Sequence, residues 1–336
     1  MWERQDNWHT AMNTTNLSVP LLRKLYARML LTRMVDEHLV RLHTHGYGEE
    51  VASCRGHEAT QVGSAICIEV GQDFTLPYYR DLGVVLTIGM TPYEIFRTYL
   101  QAQAPDSLPC EQGQSADCSQ RLPVTHMALP HWGYQKRNAI MGTATGATHI
   151  LHAAGIAFAC KLRKAPVVTV AYCGDGVTGE PDFWEGIRFA AQHRLPAIFI
   201  CEHDCSVCVD EREQMLSCLQ QSALPEGLTH RLLDGTDVAA VYSSMQQAIA
   251  QARAGHGPVL LEMEVVRPNA LSDPSPHDPL VRCQQLLEQQ GAWDQQWADA
   301  LYHRLLEEVE QALHNALQDT LSVTLLPEHP ASISPA

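Results

Sequence analysis

The sequence predicts an α/β protein with a doubly wound, mostly parallel sheet and a helical C-terminal extension, and three observations carry that expectation. Two strand-like runs, "APVVTVAYC" and "PAIFIC", are apolar throughout, as strands buried on both faces of a parallel sheet read. Helical patterns alternate with them, which gives β-α-β units. Finally, Asp278 to Ala316 is almost entirely helical, with apolar residues three and four apart in "EEVEQALHNAL".

Taken in order, residues 1–17 form a polar tail without pattern. Pro20 opens "LLRKLYARMLLTRMVDEHLVRLHTHG", whose Leu and Met positions recur at helical spacing until Gly46 ends the helix. "GHEATQVGSAICIEVGQD" predicts a small-residue helix in close packing, and "FTLPYYRD" predicts a strand. Gln101 to Gln120, rich in Pro, Ser, Gly and Cys, predicts a long exposed loop. Helix "ATHILHAAGIAFACKL", strand "APVVTVAYC", helix "DFWEGIRFAAQHR" and strand "PAIFIC" follow, then "HRLLDG", helix "DVAAVYSSMQQAIAQARAG" and strand "PVLLEMEVV". No internal repeat, sustained heptad or clear linker interrupts this. The expected division is a single α/β domain over 18–275, a helical extension over 276–320 and a tail over 321–336.

Composition narrows the function classes. The 336 residues are 45% hydrophobic, ample for a buried core. A formal charge of −15, without a basic run, argues against nucleic acid as a partner. No apolar run reaches the roughly 18 residues that a membrane span needs, and the N-terminus lacks a signal-peptide pattern. A soluble, cytoplasmic protein is expected. Eleven cysteines, odd in number and irregular in spacing, predict reduced thiols rather than a disulfide framework.

Chemistry is expected at the carboxyl ends of the parallel strands, where ligands bind in open α/β sheets. Two loops meet that rule, "CGDGVTGEPDF" and "CEHDCSVC". In the first, Gly174 and Gly176 let backbone approach a ligand closely, and Asp175 offers a carboxylate. Asp204, in the second, lies 29 residues further on, about one helix and one strand, so both acids can return to one sheet end. Two oxygen donors beside bare amides suit magnesium carrying a phosphate.

The run "YCGDGVTGEPDFWEGIRFAAQHRLPAIFICEHD" resembles the thiamine-diphosphate motif of alpha subunits of the 2-oxo acid dehydrogenases, the decarboxylating first component of the pyruvate and branched-chain complexes. Three separated segments agree in the same order: "GHEATQVG" with "YYRDLGVVL", then "DGTDVAAVYSSMQQAIAQARAGHGPVLLEME", then "SDPSPHDPLVRCQQLLEQQGAWD". The resemblance spans roughly residues 20–318. It implies the thiamine-diphosphate-binding fold, with Asp175, Asp204 and the Ser206 carbonyl as magnesium ligands. It implies further that the amides of Gly176 and Val177 cradle the diphosphate, that Tyr79 and Arg80 contact it, and that Gly146 holds the aminopyrimidine ring through its backbone. The implied activity is oxidative decarboxylation of a small 2-oxo acid, with acyl transfer to a lipoyl-bearing acyltransferase. The implied assembly is a heterotetramer of two alpha and two beta chains, the beta subunit supplying the glutamate that activates the cofactor.

Two departures from the family pattern stand out. His203-Asp204 replaces the usual Asn-Asn, adding a carboxylate beside a polyanion, where unit charges a few ångströms apart interact by several kcal/mol. Asn269 stands where the family has a histidine near the oxo acid, and Ala270 replaces a serine that some relatives phosphorylate. Asparagine donates a hydrogen bond but transfers no proton near neutral pH. These departures frame an alternative, a catalytically impaired or non-catalytic relative that keeps the fold and partner interface. A weaker alternative is an iron–sulfur or zinc protein using Cys201, Cys205 and Cys208, which have C-x3-C-x2-C spacing.

Overall fold

The computed structural model describes residues 17–47, 51–101, 137–140, 146–205, 224–267 and 276–324. The loop expected over Gln101–Gln120 falls almost wholly outside them, as do Ser206, Cys208 and Asn269.

Helix α1 (Val19–Thr44) starts after an extended Ser18 with Pro20 in its first turn, and buries Leu22, Leu25, Met29, Val35 and Leu39. Beyond it, Gly46 takes a φ of +83°, a left-handed conformation that costs a glycine little. Helix α2 (Glu58–Ala65) is buried along its whole length, as its small residues predict. Strand β1 (Phe74–Leu76) is shorter than "FTLPYYRD" suggests. Pro77 follows directly and has no N–H to continue the ladder, so Tyr78–Arg80 turn out of the sheet.

After α3 (Leu82–Ile88) and α4 (Pro92–Gln101), the expected units appear in sequence: α5 (Thr148–Leu162), β2 (Thr169–Gly174), α6 (Pro181–Gln192) and β3 (Ala197–Asp204). Next come β4 (Thr229–Asp234), α7 (Val238–Arg253), β5 (Val259–Val265), α8 (Pro279–Gln289) and α9 (Gln295–Thr324). Among the described residues the sheet has five parallel strands in the order β1-β2-β3-β5-β4.

Central strand β3 is buried at every position, which is why its first five residues, Ala197–Cys201, read as a continuous apolar run rather than an alternating one, before Glu202, His203 and Asp204 end it. Its Ile198 and Ile200 meet α7 through Val241 and Met245 on one face. Phe199 and Ala197 meet Ile150, Phe183 and Ile187 of α5 and α6 on the other. Each such fully buried Ile or Phe contributes about 1.5–3 kcal/mol. A separate apolar cluster joins α1, α3, α4 and α9 beyond the sheet. All five carboxyl ends point one way, so the segments after β1, β2, β3 and β5 gather at one edge. No described helix is long and apolar enough to cross a membrane.

Candidate functional site

Strand β2 ends at Gly174 and the chain turns at once into a single 3-10 turn, Asp175–Val177. In the parallel register Gly174 stands opposite Glu202, so the end of β3 lies beside this turn. The backbone N–H of Asp204 donates to Asp175 Oδ2 at 3.1 Å. The two acids expected to meet are therefore neighbours at the sheet edge. Gly176 is exposed, and the space a side chain would take there is open. Ser206 continues from Cys205 outside the described residues.

Beyond Pro77, the Tyr78–Arg80 turn is fixed by buried polar side chains. Asp81 accepts from the Tyr78 N–H at 2.7 Å, and Gln61 donates to the Arg80 carbonyl at 3.1 Å. The Tyr78 hydroxyl donates to Glu202 Oε2 at 2.9 Å, an oxygen also approached by His57 Nδ1 at 2.6 Å and Gln61 Nε2 at 3.3 Å. The Tyr78 ring lies at ordinary van der Waals distance from the space a side chain on Gly174 would take. Two adjacent buried carboxylates cannot both ionise freely: burial first, and then the charge of Glu202, hold the Asp81 carboxyl well above its usual range.

Arg80 thus reaches the same edge as Asp175. Burial opposes its charge, but Tyr78, Tyr79 and Glu202 keep its pKa above the ordinary arginine value. Its guanidinium carbon lies 5.4 Å from the Tyr79 ring centroid. Its Nε is buried without a hydrogen-bond partner among the described residues. A buried cationic donor left unpaired is costly, and an anionic ligand at this edge would satisfy it.

Gly146 adopts a φ of +88° just before α5, and a side chain there would crowd the Glu180 carboxylate. Glu180 accepts from the Ala147 N–H at 2.8 Å, so the segment after Val177 caps α5 from 33 residues away. His149, further into α5, contacts the Tyr172 carbonyl through Nε2 at 2.8 Å, and burial lowers its pKa, which keeps the ring neutral.

The departing residues have partners. His203 Nδ1 lies 3.5 Å from Glu262 Oε1, and His230 Nε2 lies 3.0 Å from Glu262 Oε2. Asp204 Oδ2 lies 3.5 Å from Arg267 Nη1, just beyond β5. Cys201 points into the core between β3 and the α5–α6 layer. A hydrogen bond with Cys173, and then burial, push its thiol well above the ordinary range, the opposite of what a thiolate ligand requires. Among the described residues no group of three His, Cys, Asp or Glu side chains could hold a metal by itself.

A divalent cation bridging to a diphosphate nevertheless fits what is present. Two neighbouring acids, an exposed glycine turn and an unpaired arginine donor share one sheet edge, and the diphosphate would complete the cation's oxygen shell. Sequence reasoning passed over Glu202, His57, Glu180 and Arg267. Glu202 left one signal, a charge inside an apolar strand; the contacts of the others, far apart in the chain, left none.

The match to the dehydrogenase E1 component family covers residues 26–323. Similar proteins include the 2-oxoisovalerate dehydrogenase subunit alpha of Bacillus subtilis, 32% identical over 76% of this chain and 73% of that one. The 3-methyl-2-oxobutanoate dehydrogenase subunit alpha of Mycobacterium tuberculosis is 32% identical over 89% and 78%. The pyruvate dehydrogenase E1 component subunit alpha of Staphylococcus aureus is 28% identical over 88% and 78%. With most of its length matched and its acids, turn and arginine at one sheet edge, this chain belongs to the dehydrogenase E1 component family, alongside the alpha subunits of the 2-oxo acid dehydrogenases.

Proposed function

We propose that the chain is the alpha subunit of a 2-oxo acid dehydrogenase, which with a beta subunit decarboxylates a small 2-oxo acid oxidatively and passes the acyl group to a lipoyl-bearing acyltransferase. The observation that carries this reading is the pairing of Asp175 with the Asp204 amide, at the same sheet edge as the segment holding the buried, unpartnered Arg80 Nε. In this reading Asp175, Asp204 and the Ser206 carbonyl hold Mg2+, while Gly176 and Val177 present amides to the diphosphate. Arg80 supplies a permanent positive charge to its oxygens, with Tyr79 beside it. Gly174, where β2 ends, lets the backbone approach the ligand closely, and Gly146, braced by Glu180, offers its backbone to the aminopyrimidine. Thiamine diphosphate, when bound, supplies the electron sink that decarboxylation needs. The protein's share is orientation, charge compensation and exclusion of water. Asn269 would face the oxo acid as a hydrogen-bond donor.

The expected assembly is two alpha and two beta chains in the cytoplasm. Co-production with a beta chain, followed by dye reduction with pyruvate and branched-chain 2-oxo acids, tests the reading. Activity on at least one acid is expected; a stoichiometric complex inactive on all of them would favour the second reading, a relative that keeps fold and interface without turnover. Asn269, which cannot shuttle a proton, favours that second reading.

A further inference from the structure

Asp204 brings a second carboxylate to a place meant for a polyanion, and the structure holds its counter-charge close by. Strand β5 pairs with β3 so that Val265 stands opposite Asp204, and the Cys205 N–H donates to the Val265 carbonyl at 2.9 Å. The chain therefore leaves β5 alongside Asp204, and two residues later Arg267 reaches back to Asp204 Oδ2 at 3.5 Å. The backbone there is fixed from the other side as well. Gly56, at a φ of +93°, lies so close that any side chain on it would collide with the Val266 carbonyl oxygen and press on the Arg267 Cα. The Arg267 side chain is 41% exposed while the Asp204 side chain is 9% exposed, so the arginine is the more open partner of the pair.

We propose that Arg267 is the counter-charge that lets an aspartate occupy the second metal position: it neutralises Asp204 before metal binds, yields the carboxylate to a divalent cation, and stays as a positive charge facing the diphosphate. This rests on the reading that Asp175 and Asp204 form the cation end of a diphosphate site. The His203-Asp204 replacement is then a compensated exchange rather than a lesion.

Electrostatics gives the proposal opposite signs for two probes. A bare cation competes with Arg267 for Asp204 and is repelled by it, whereas a magnesium–pyrophosphate complex carries net negative charge and is attracted. The full chain, with its beta partner, is titrated with Mn2+ alone, read by the resonance of free Mn2+, and with inorganic pyrophosphate in saturating Mg2+, read by calorimetry. Arg267→Gln is expected to tighten Mn2+ and loosen magnesium–pyrophosphate, each by about two- to five-fold, the range of a partly exposed ion pair. Arg267→Lys, which keeps the charge, restores wild-type values. In an Asp204→Asn background the gain in Mn2+ affinity disappears.

Structural damage would loosen both probes together. Changes of the same sign, no change in either probe, or an effect undiminished by Asp204→Asn would each overturn the proposal. If the two probes respond as expected while thiamine diphosphate fails to bind the wild type, the charge pairing stands and the cofactor assignment falls.

Discussion

At the scale of single residues, the site depends on how few atoms separate its charges. Among the described residues the Asp175 carboxylate accepts one hydrogen bond, from the Asp204 N–H of β3, and a carboxylate has further lone pairs to offer a cation. Asp175→Ala is expected to weaken Mg2+-dependent thiamine diphosphate binding by more than about ten-fold in a calorimetric titration, with little change in thermal midpoint. Glu262 is different, because its role is stability. Burial raises its carboxyl, but the facing imidazoles of His203 and His230 outweigh that and bring it down to about 2. A depressed carboxyl contributes stability above its unfolded value and loses it as pH falls through the folded one. Comparing Glu262→Gln with wild type by thermal melting should show the largest gap above the ordinary carboxylate range, closing toward pH 2. A gap that widens on acidification would contradict this. The motif residues were legible because "GDG" and the acid after "IFICEH" both end apolar strands. Arg267 and Glu180 were not, since no local pattern marks contacts made 63 and 33 residues away.

At the scale of elements, buried charge and close approach decide which helices stay together. Arg33 of α1 bonds Glu58 of α2 and, at 3.0 Å, Asp278, whose carboxylate also caps α8. Replacing Arg33 by Met leaves Glu58 fully buried without its cation, and a loss of about 3–5 kcal/mol is expected in denaturant unfolding. Helices α5 and α6 meet at Gly186, where an added Cβ would come within 2.9 Å of Ile150 Cγ2 and 3.1 Å of its backbone. Backbone cannot yield cheaply, so Gly186→Ala should cost about 1–3 kcal/mol by the same measurement. Helix α5 was readable as a helix, but that Gly186 and not another small residue would be its contact was not; periodicity gives a face, not a partner. Strand β1 shows the converse, a predicted strand cut short because Pro77 withdraws a donor.

At the scale of the molecule, the parallel sheet was legible because burial on both faces leaves an apolar run that little else produces, and β3 meets that description over Ala197–Cys201. What could not be read was the depth of the polar network beneath the site, where His57 and Glu202 meet across 145 residues. Asp175 and Asp204, at one sheet edge with Arg80, are proposed to hold jointly a cation carrying a diphosphate. The direct measurement is a calorimetric titration of thiamine diphosphate into the chain assembled with its beta partner, with and without Mg2+. Saturable binding that requires Mg2+ and is lost in Asp175→Ala is predicted; no binding, or binding indifferent to both the metal and Asp175, would contradict the claim.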